Sequence, residues 1–563
     1  MTTALPPHTA TAPPSPAARA ADRFLTRLMR LPGTRYGYRV ERNLPAPTRD
    51  GAVLMTDHYA PNTGSPKGTV LVRTPYGRAF PGNLEARVYA DHGYHVVLQS
   101  CRGTFGSTGD FYPMANEADD AQDAVAWLRT QPWFDGRLAT SGGSYVGWTQ
   151  WALLMDPPAE LRTCLIAVGP HDMHDAVYGT GAFQVNDFLS WAAALVNQER
   201  VTGLRAVAQL LTMKRRLAPV FDALPLADAA DETTEHRAPW FREWLTTPDS
   251  NEPPWGRLQL DAALQRANVP VRLVAGWQDL FVDQNLRQYE SLRARGVDVS
   301  LTVGPWTHNE LGQKGMGRLL RGNLAWLETH LADEAPAQPR STLPVEVYVT
   351  GLGAWRQLAQ WPPATDQTVR YLQPDGKLLA DEPTSGAPST YVYDPANPTP
   401  TLGGPLLTLD GGSKDNAKLE NRPDVLTFTT DPLTTPLEIM GTPVVDLAHT
   451  RNNPHADVFV RLCDVDPKGV SRNFAEGLLR LDPTSPLDQV QTVRVHLDAC
   501  AHQVKAGHRI RLLIAGGSHP RYTRNEGTGA TPPGTGTELR PCTHTVHHAP
   551  GTISRVVLPT PSE

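Results

Sequence analysis

Arg137-Leu138-Ala139-Thr140-Ser141-Gly142-Gly143-Ser144-Tyr145-Val146-Gly147-Trp148-Thr149-Gln150-Trp151 is the stretch whose reading decides the fold. A short mixed run enters a glycine pair and a serine, and beyond Gly147 the segment Trp151 to Met155 reads as helix. The pattern is strand, turn, helix, with Ser144 at the apex. In such an elbow the serine backbone is strained and small neighbours let strand and helix approach closely. Gly142 and Gly147 suit those two tasks. The usual G-x-S-x-G spacing would put glycine at position 146, where Val146 stands, so the pattern here is G-x-S-Y-x-G. A serine among glycines also describes an ordinary turn, and the decision falls to the surrounding elements.

Upstream, Gly68 to Arg73 and Tyr94 to Gln99 read as short apolar strands, and Glu117 to Thr130 carries Ala121, Ala124, Val125 and Leu128 at helical spacing behind an acidic start. Before them, Val40 and Val53 to Tyr59 flank the turn Thr48-Arg49-Asp50-Gly51 as a hairpin. Downstream, Cys164 to Val168, Val269 to Gly276 and Val297 to Val303 are further strands, followed by a helix marked by Leu320, Leu324, Leu327 and Leu331. Alternating strand and helix is the signature of a mostly parallel sheet covered on both faces. Between His171 and Leu258 the alternation breaks into helical runs (Phe183 to Val196, Leu204 to Leu217, Trp240 to Leu245) with no strand between them. That insertion reads as a cap over the sheet's active edge, or as a plain helical packing layer. Past the proline-containing linker Ala335 to Ser341, nearly everything is short strand and turn, which argues a β-sandwich of jelly-roll type.

The expected organisation is therefore an α/β core at 23–170 and 259–335, a helical cap at 171–258 and a C-terminal all-β jelly roll at 342–563. Residues 1–22, rich in Ala, Pro and Thr, are expected to be a disordered tail without signal-peptide character. A net charge of −6 with dispersed basic residues gives no footprint for nucleic acid. No run approaches the ~18 apolar residues of a membrane span, so no membrane partner and a cytoplasmic location are expected. The five cysteines, Cys101, Cys164, Cys463, Cys500 and Cys542, are odd in number and scattered, without a disulfide or zinc pattern. His544, His547 and His548 share one strand, where alternation divides neighbours between its faces, so no metal site is expected.

Ser144, Asp279 and His308 each follow the carboxyl end of a predicted strand, the edge where the loops of an open α/β sheet converge. Serine needs a base, imidazole exchanges protons near neutral pH, and a carboxylate fixes the imidazole's tautomer. The order Ser, Asp, His is that of α/β-hydrolases. Asp279 also fits a helix N-cap, and Asp283 is the competing acid, four residues further on.

Together with the elbow, Arg73-Thr74-Pro75-Tyr76-Gly77, Arg102-Gly103 with Ser107 and Gly109, Gly276-Trp277 with Asp279, Gly304-Pro305-Trp306-Thr307-His308, Trp355, Trp361-Pro362 and Arg524-Asn525 resemble the cocaine esterase and X-Pro dipeptidyl-peptidase family. The resemblance runs from about Tyr36 to Leu558. It implies Ser144 as nucleophile, Asp279 as acid and His308 as base, with the Tyr76 hydroxyl and the backbone N–H of Tyr145 as the oxyanion hole. It implies no metal or organic cofactor. Tyr76 also fits a turn tyrosine packed on the sheet. By the same resemblance Trp151 falls near an acyl pocket, Val177 stands where a relative has tryptophan, and Phe281 joins the pocket. Relatives that cleave aminoacyl β-lactam esters place acidic residues just after the triad aspartate, where this chain has Leu280-Phe281-Val282. Dipeptidyl-peptidase relatives carry a further N-terminal domain not seen in this sequence. The expected activity is thus a serine esterase acting on a small-molecule ester. The alternatives are an acylase or Xaa-Pro peptidase cleaving an amide with the same groups, and a catalytically silent binding protein; a homo-oligomer is left open.

Overall fold

The computed structural model describes residues 6–32, 35–79, 81–201, 203–332, 343–384 and 386–562. Its central sheet is built from β1 (Thr9–Ala12), β2 (Tyr38–Pro47), β3 (Val53–Pro61), β4 (Thr69–Thr74), β5 (His95–Ser100), β6 (Leu138–Gly143), β7 (Leu161–Ala167), β8 (Val271–Gln278), β9 (Val299–Thr307), β10 (Val345–Val349) and β11 (Ala354–Leu358). Their order is β1-β2-β3-β5-β4-β6-β7-β8-β9-β10-β11. From β5 to β10 every neighbouring pair is parallel. Strands such as β4 and β5 are buried along their whole length, as expected of parallel strands with helices on both faces.

Helices α1 (Pro16–Leu28), α2 (Leu84–Asp91), α3 (Glu117–Arg129) and α4 (Tyr145–Leu153) accompany these strands. The four apolar positions that predicted α3 are all buried. Helix α4 starts directly after Ser144, six residues before the helical reading of the sequence, because the turn at the apex is tight enough to enter a helix at once.

The two elbow glycines are explained by close approach. A Cβ on Gly142, whose φ is +142°, would lie 2.1 Å from Val146 Cγ1. One on Gly147 would lie 2.7 Å from the Cα of Gly169, beyond the end of β7. Val146 can stand where a glycine is customary because its side chain packs over bare Gly142, while Gly147 takes over the contact with the neighbouring loop.

Between β7 and β8 lie α5 (Met173–Tyr178), α6 (Val185–Leu195), α7 (Gly203–Phe221), α8 (Leu226–Thr233) and α9 (Pro239–Thr246). The segment leaves and rejoins the core at one neck, where Met173 N–H donates to the Leu258 carbonyl (2.9 Å) and Leu260 N–H to that of His171 (2.8 Å). Its own centre is aromatic, with Trp240 and Trp244 ring centroids 4.9 Å apart and Trp244 and Trp255 5.7 Å apart.

The C-terminal region is built on two facing antiparallel sheets, with a two-stranded antiparallel ladder of Leu437–Gly441 and Cys500–Val504 beside them. A seven-stranded sheet and a four-stranded sheet (Leu426–Thr429, Arg509–Ala515, Asp457–Val465, Ser471–Arg480) enclose Leu447, Val460, Leu512, Ile514, Val556 and Leu558. Between this sheet and the cap, Glu476 is 1 % exposed and pairs with Arg461 (2.5 Å) and Arg521. Arg461 also donates to the Leu402 carbonyl and to Asn416, both at 2.7 Å, and so pins both flanks of the 402–416 loop.

Two expectations are corrected. Over its described residues the disordered tail is strand β1, paired with β2, and the first half of α1. Ser15 caps α1 by accepting from Ala18 N–H, Pro16 opens it, and Asp22 anchors it by accepting from the Tyr38 hydroxyl (2.9 Å) and pairing with Arg87. The linker 335–341 lies outside the described residues. Strands β10 and β11, assigned to the β-domain, instead extend the central sheet, because β10 satisfies the open edge of β9 through Val345 to Val347.

Replacing Glu476 by Gln is expected to destabilise the protein by about 3–5 kcal/mol, since two buried guanidinium groups lose their shared counter-charge. The check is the midpoint of urea unfolding, and an unshifted midpoint would count against the network. Gly142→Ala should lower the thermal midpoint, and Val146→Ala added to it should restore part of the loss by removing the clashing Cγ1.

Candidate functional site

Ser144 stands at φ 60°, ψ −125°, between β6 and α4. A non-glycine residue in such a sparsely populated region is held there by its surroundings. Its N–H donates to the Ala167 carbonyl (2.9 Å), and its own carbonyl accepts from Gly147 (2.8 Å) and Trp148 (3.0 Å). Both ends are therefore fixed, which leaves the side chain to project from the turn.

Asp279 follows β8 directly and His308 follows β9 directly. Asp279 is fully buried; one carboxylate oxygen accepts from His308 Nδ1 at 2.6 Å and the other from Phe281 N–H at 2.8 Å. Thr307 caps the turn that begins with His308 in a capping box with Glu310, which sets the exit angle of the chain there. With Nδ1 committed to Asp279, the imidazole has Nε2 left for the cavity it shares with Ser144. Asp283 points elsewhere. Its carboxylate accepts from Ala499 N–H (3.3 Å) beside the β-domain and lines a separate cavity with Asp498 and Arg521.

Tyr76 sits on the loop after β4. The residue as a whole is 40 % exposed and lines the cavity beside Ser144. Burial pushes the phenol up to about 12, against the opposing effect of hydrogen bonds from Trp191 and with Ser144. It is consequently a neutral donor throughout the physiological range. Trp191 of α6 donates its indole N–H to the Tyr76 oxygen at 3.2 Å, and Gln198 donates to the Pro75 carbonyl at 2.9 Å, so the cap holds this loop from above. From within, Gly77 at φ +85° passes so near Phe105 that a Cβ would lie 2.7 Å from its ring.

Tyr145 is the first residue of α4, where a backbone N–H has no acceptor within the helix. Its phenol is occupied in the core, donating to Glu117 (2.8 Å) and accepting from Met114 N–H (2.7 Å). Glu117 in turn pairs with buried Arg73 at 2.9 Å. The arginine and glutamate thus brace the residue next to Ser144 from behind.

Ser144, Tyr76, Tyr145, His308 and Phe281 all line one cavity of about 240 Å³. Trp151 and Val177, expected in the pocket, do not line it. Both are fully buried in the core. Trp151 lies seven residues after Ser144, roughly 10 Å along α4 at 1.5 Å per residue, and packs edge-on to His171 at 6.2 Å. Val177 faces the same interior from α5.

The residues that do complete the wall were not singled out in the sequence: Asp187, Phe188 and Trp191 of α6, Met114, Met173, Asn309 and Leu407. Only Asn309, adjacent to His308, carried a signal. Leu407 comes from the 402–416 loop of the β-domain, where Asn309 donates to its carbonyl and its own N–H donates to Asp187 (2.9 Å). Core, cap and β-domain each contribute a wall. Among the described residues no group of three or more His, Cys, Asp or Glu side chains is arranged to hold a metal ion, the five cysteines are buried and free, and no helix is long and apolar enough to cross a membrane.

Residues 50–310 match the X-Pro dipeptidyl-peptidase (S15 family) domain, and residues 338–557 match the X-Pro dipeptidyl-peptidase C-terminal non-catalytic domain. The chain is 29 % identical to the cocaine esterase of Rhodococcus sp. (strain MB1 Bresler), an alignment covering 93 % of this chain and 98 % of that protein. Among solved structures it resembles an α-amino acid ester hydrolase and an aminopeptidase from a marine sediment archaeon, Thaumarchaeota archaeon. Each has a TM-score of 0.78 and 24 % identity, over 93 % of this chain and 96 % of the other. Those two likenesses concern the fold. With the catalytic and the β-domain both matched in their expected order, the chain belongs to the cocaine esterase and X-Pro dipeptidyl-peptidase family of α/β-hydrolases, a serine-hydrolase family, and is a hydrolytic enzyme.

Proposed function

We propose that the enzyme hydrolyses small carboxylic esters through Ser144, His308 and Asp279 and an acyl-enzyme intermediate. The observation that carries the reading is the 2.6 Å contact of Asp279 with His308 Nδ1, at a cavity that Ser144 and Tyr76 share. Asp279 holds the imidazole in the tautomer whose Nε2 takes the Ser144 proton. As Ser144 attacks the carbonyl carbon, negative charge develops on the carbonyl oxygen, and the Tyr76 hydroxyl and Tyr145 N–H are the donors for it. Donors fixed in advance stabilise that charge more than they stabilise the ground-state carbonyl. His308 then protonates the leaving oxygen, and later takes a proton from the water that releases the acyl group.

An ester is favoured over an amide by the near full-length similarity to an esterase. It is also favoured by the small, mostly apolar cavity, which lies below the ~300 Å³ usual for drug-sized ligands. Amide cleavage by the same groups is the second reading, favoured by the S15 domain match.

A fluorophosphonate probe is expected to label the wild-type protein at Ser144 and to leave Ser144→Ala unlabelled; label retained by the variant would remove Ser144 from the mechanism. Tyr76→Phe should lower kcat by about 100-fold or more with a smaller change in KM, and unaltered turnover would exclude its hydroxyl as an oxyanion donor. Ester and amide substrates of matched acyl group, compared by kcat/KM, separate the two readings.

A further inference from the structure

The segments Arg73-Thr74-Pro75-Tyr76-Gly77 and Arg102-Gly103 each carry an arginine that neither the triad nor the cavity wall accounts for. Both arginines join one network. Arg73, 2 % exposed near the end of β4, donates through Nη1 to the Glu117 carbonyl and through Nε to Gln99, each at 3.0 Å. Its Nη2 pairs with the Glu117 carboxylate at 2.9 Å and lies 3.8 Å from Asp120. Asp120, fully buried, takes both Nε (3.2 Å) and Nη2 (2.5 Å) of Arg102, whose Nη1 reaches Asp50 at 2.7 Å in the turn between β2 and β3. Gly109 leaves room for this arginine, because a Cβ there would lie 2.9 Å from Arg102 Cγ. Charges therefore alternate from Glu117 outward to the exposed Asp50.

Glu117 is the inner end of that chain, and its two carboxylate oxygens divide between the two elements that carry the oxyanion donors. Oε1 accepts from the hydroxyl of Tyr145, the first residue of α4, and Oε2 pairs with Arg73, three residues before Tyr76. Between Arg73 and Tyr76 the backbone is tied once more, since the Tyr76 N–H donates to Thr74 Oγ1 at 3.1 Å. A buried ion pair seldom adds more stability than apolar side chains of equal volume would. What it can supply is a defined geometry. Here the geometry concerns two donors that must meet one oxygen atom, a match needed to within about 0.5 Å.

We propose that Glu117 is a positioning residue for the oxyanion hole: its carboxylate fixes the distance between the Tyr76 hydroxyl and the Tyr145 N–H, while Arg73, Asp120 and Arg102 hold it in place. Glu117 does not line the cavity and acts through the Tyr145 phenol and the strand that leads to Tyr76. This rests on the reading of Ser144 and His308 as the reacting pair.

The test uses Tyr145→Phe, which leaves the Arg73–Glu117 pair whole, and Glu117→Leu, which fills the space without the charge. With 4-nitrophenyl butanoate each should lower kcat by about tenfold or more at nearly constant KM, because the donors move relative to charge that develops only in the transition state. Inhibition by 1,1,1-trifluoropentan-2-one, whose adduct with Ser144 places an oxyanion in the hole, should weaken by a similar factor. Binding of N-methylbutanamide, which forms no adduct, should stay as in the wild type. The double variant should lose no more than Glu117→Leu alone, since both changes interrupt one path. Unaltered kcat in Tyr145→Phe overturns the proposal, and that variant alone decides if Glu117→Leu does not fold. Equal weakening of ketone and amide also overturns it, by marking a general loss of packing. A wild type that the fluorophosphonate probe does not label at Ser144 would refute the reading of the reaction and this proposal with it. A wild type labelled at Ser144, with variants that keep its rate and its ketone affinity, would sink the positioning role alone.

Discussion

The contorted backbone at Ser144 is the constraint on which the rest of the molecule depends. A residue in so sparsely populated a conformation costs on the order of 1–3 kcal/mol, and it persists only where the surroundings over-determine it. Here they do so from three directions. The bare Gly142 accepts Val146, Gly147 lets α4 rest against Gly169, and the Ser144 N–H is tied to Ala167 of the next strand. Those contacts hold an unfavourable local geometry in place and leave the Ser144 side chain at the cavity.

Around that point the architecture works as a set of braces on loops from distant parts of the chain. Arg73 and Glu117 hold Tyr145 from below, Trp191 and Gln198 hold the Tyr76 loop from above, and Asp279 fixes the ring of His308. The β-domain contributes through Arg461, whose contacts with Leu402 and Asn416 secure the loop that carries Leu407 to the cavity wall. The proposed reaction gains from such fixity because donors held in advance need no reorganisation as charge develops.

Much of this was legible in the sequence where local patterns dictate structure. The strands before Ser144, Asp279 and His308 are short runs, apolar or mixed, that lead into a polar residue, and a parallel sheet aligns such ends by construction. Likewise the alternation of strand and helix, and its interruption at His171, follow from periodicity. What escaped was set by contacts between remote segments. Nothing in the residues around Leu407 announces that they reach the site, and Asp187 reads as an ordinary acid at a helix start. Trp151 and Val177 were placed by alignment position, but side-chain direction on α4 and α5 turns them into the core. The Ala- and Pro-rich opening concealed Ser15-Pro16, the start of a helix that Asp22 anchors by reaching Arg87 and Tyr38.

Strand β10 lies just past the linker, on the β-domain side of the chain, yet it completes the sheet of the hydrolase core. The two matched domains are therefore not separable at their sequence border. A chain shortened to the hydrolase segment would bare the backbone of Leu301 to Val303, an unpaired apolar edge of the kind that recruits other strands into aggregates. It would also forfeit the wall at Leu407. The segment beyond the linker thus carries both an edge strand of the core sheet and a wall of the cavity, and replacing it as a whole would change both at once.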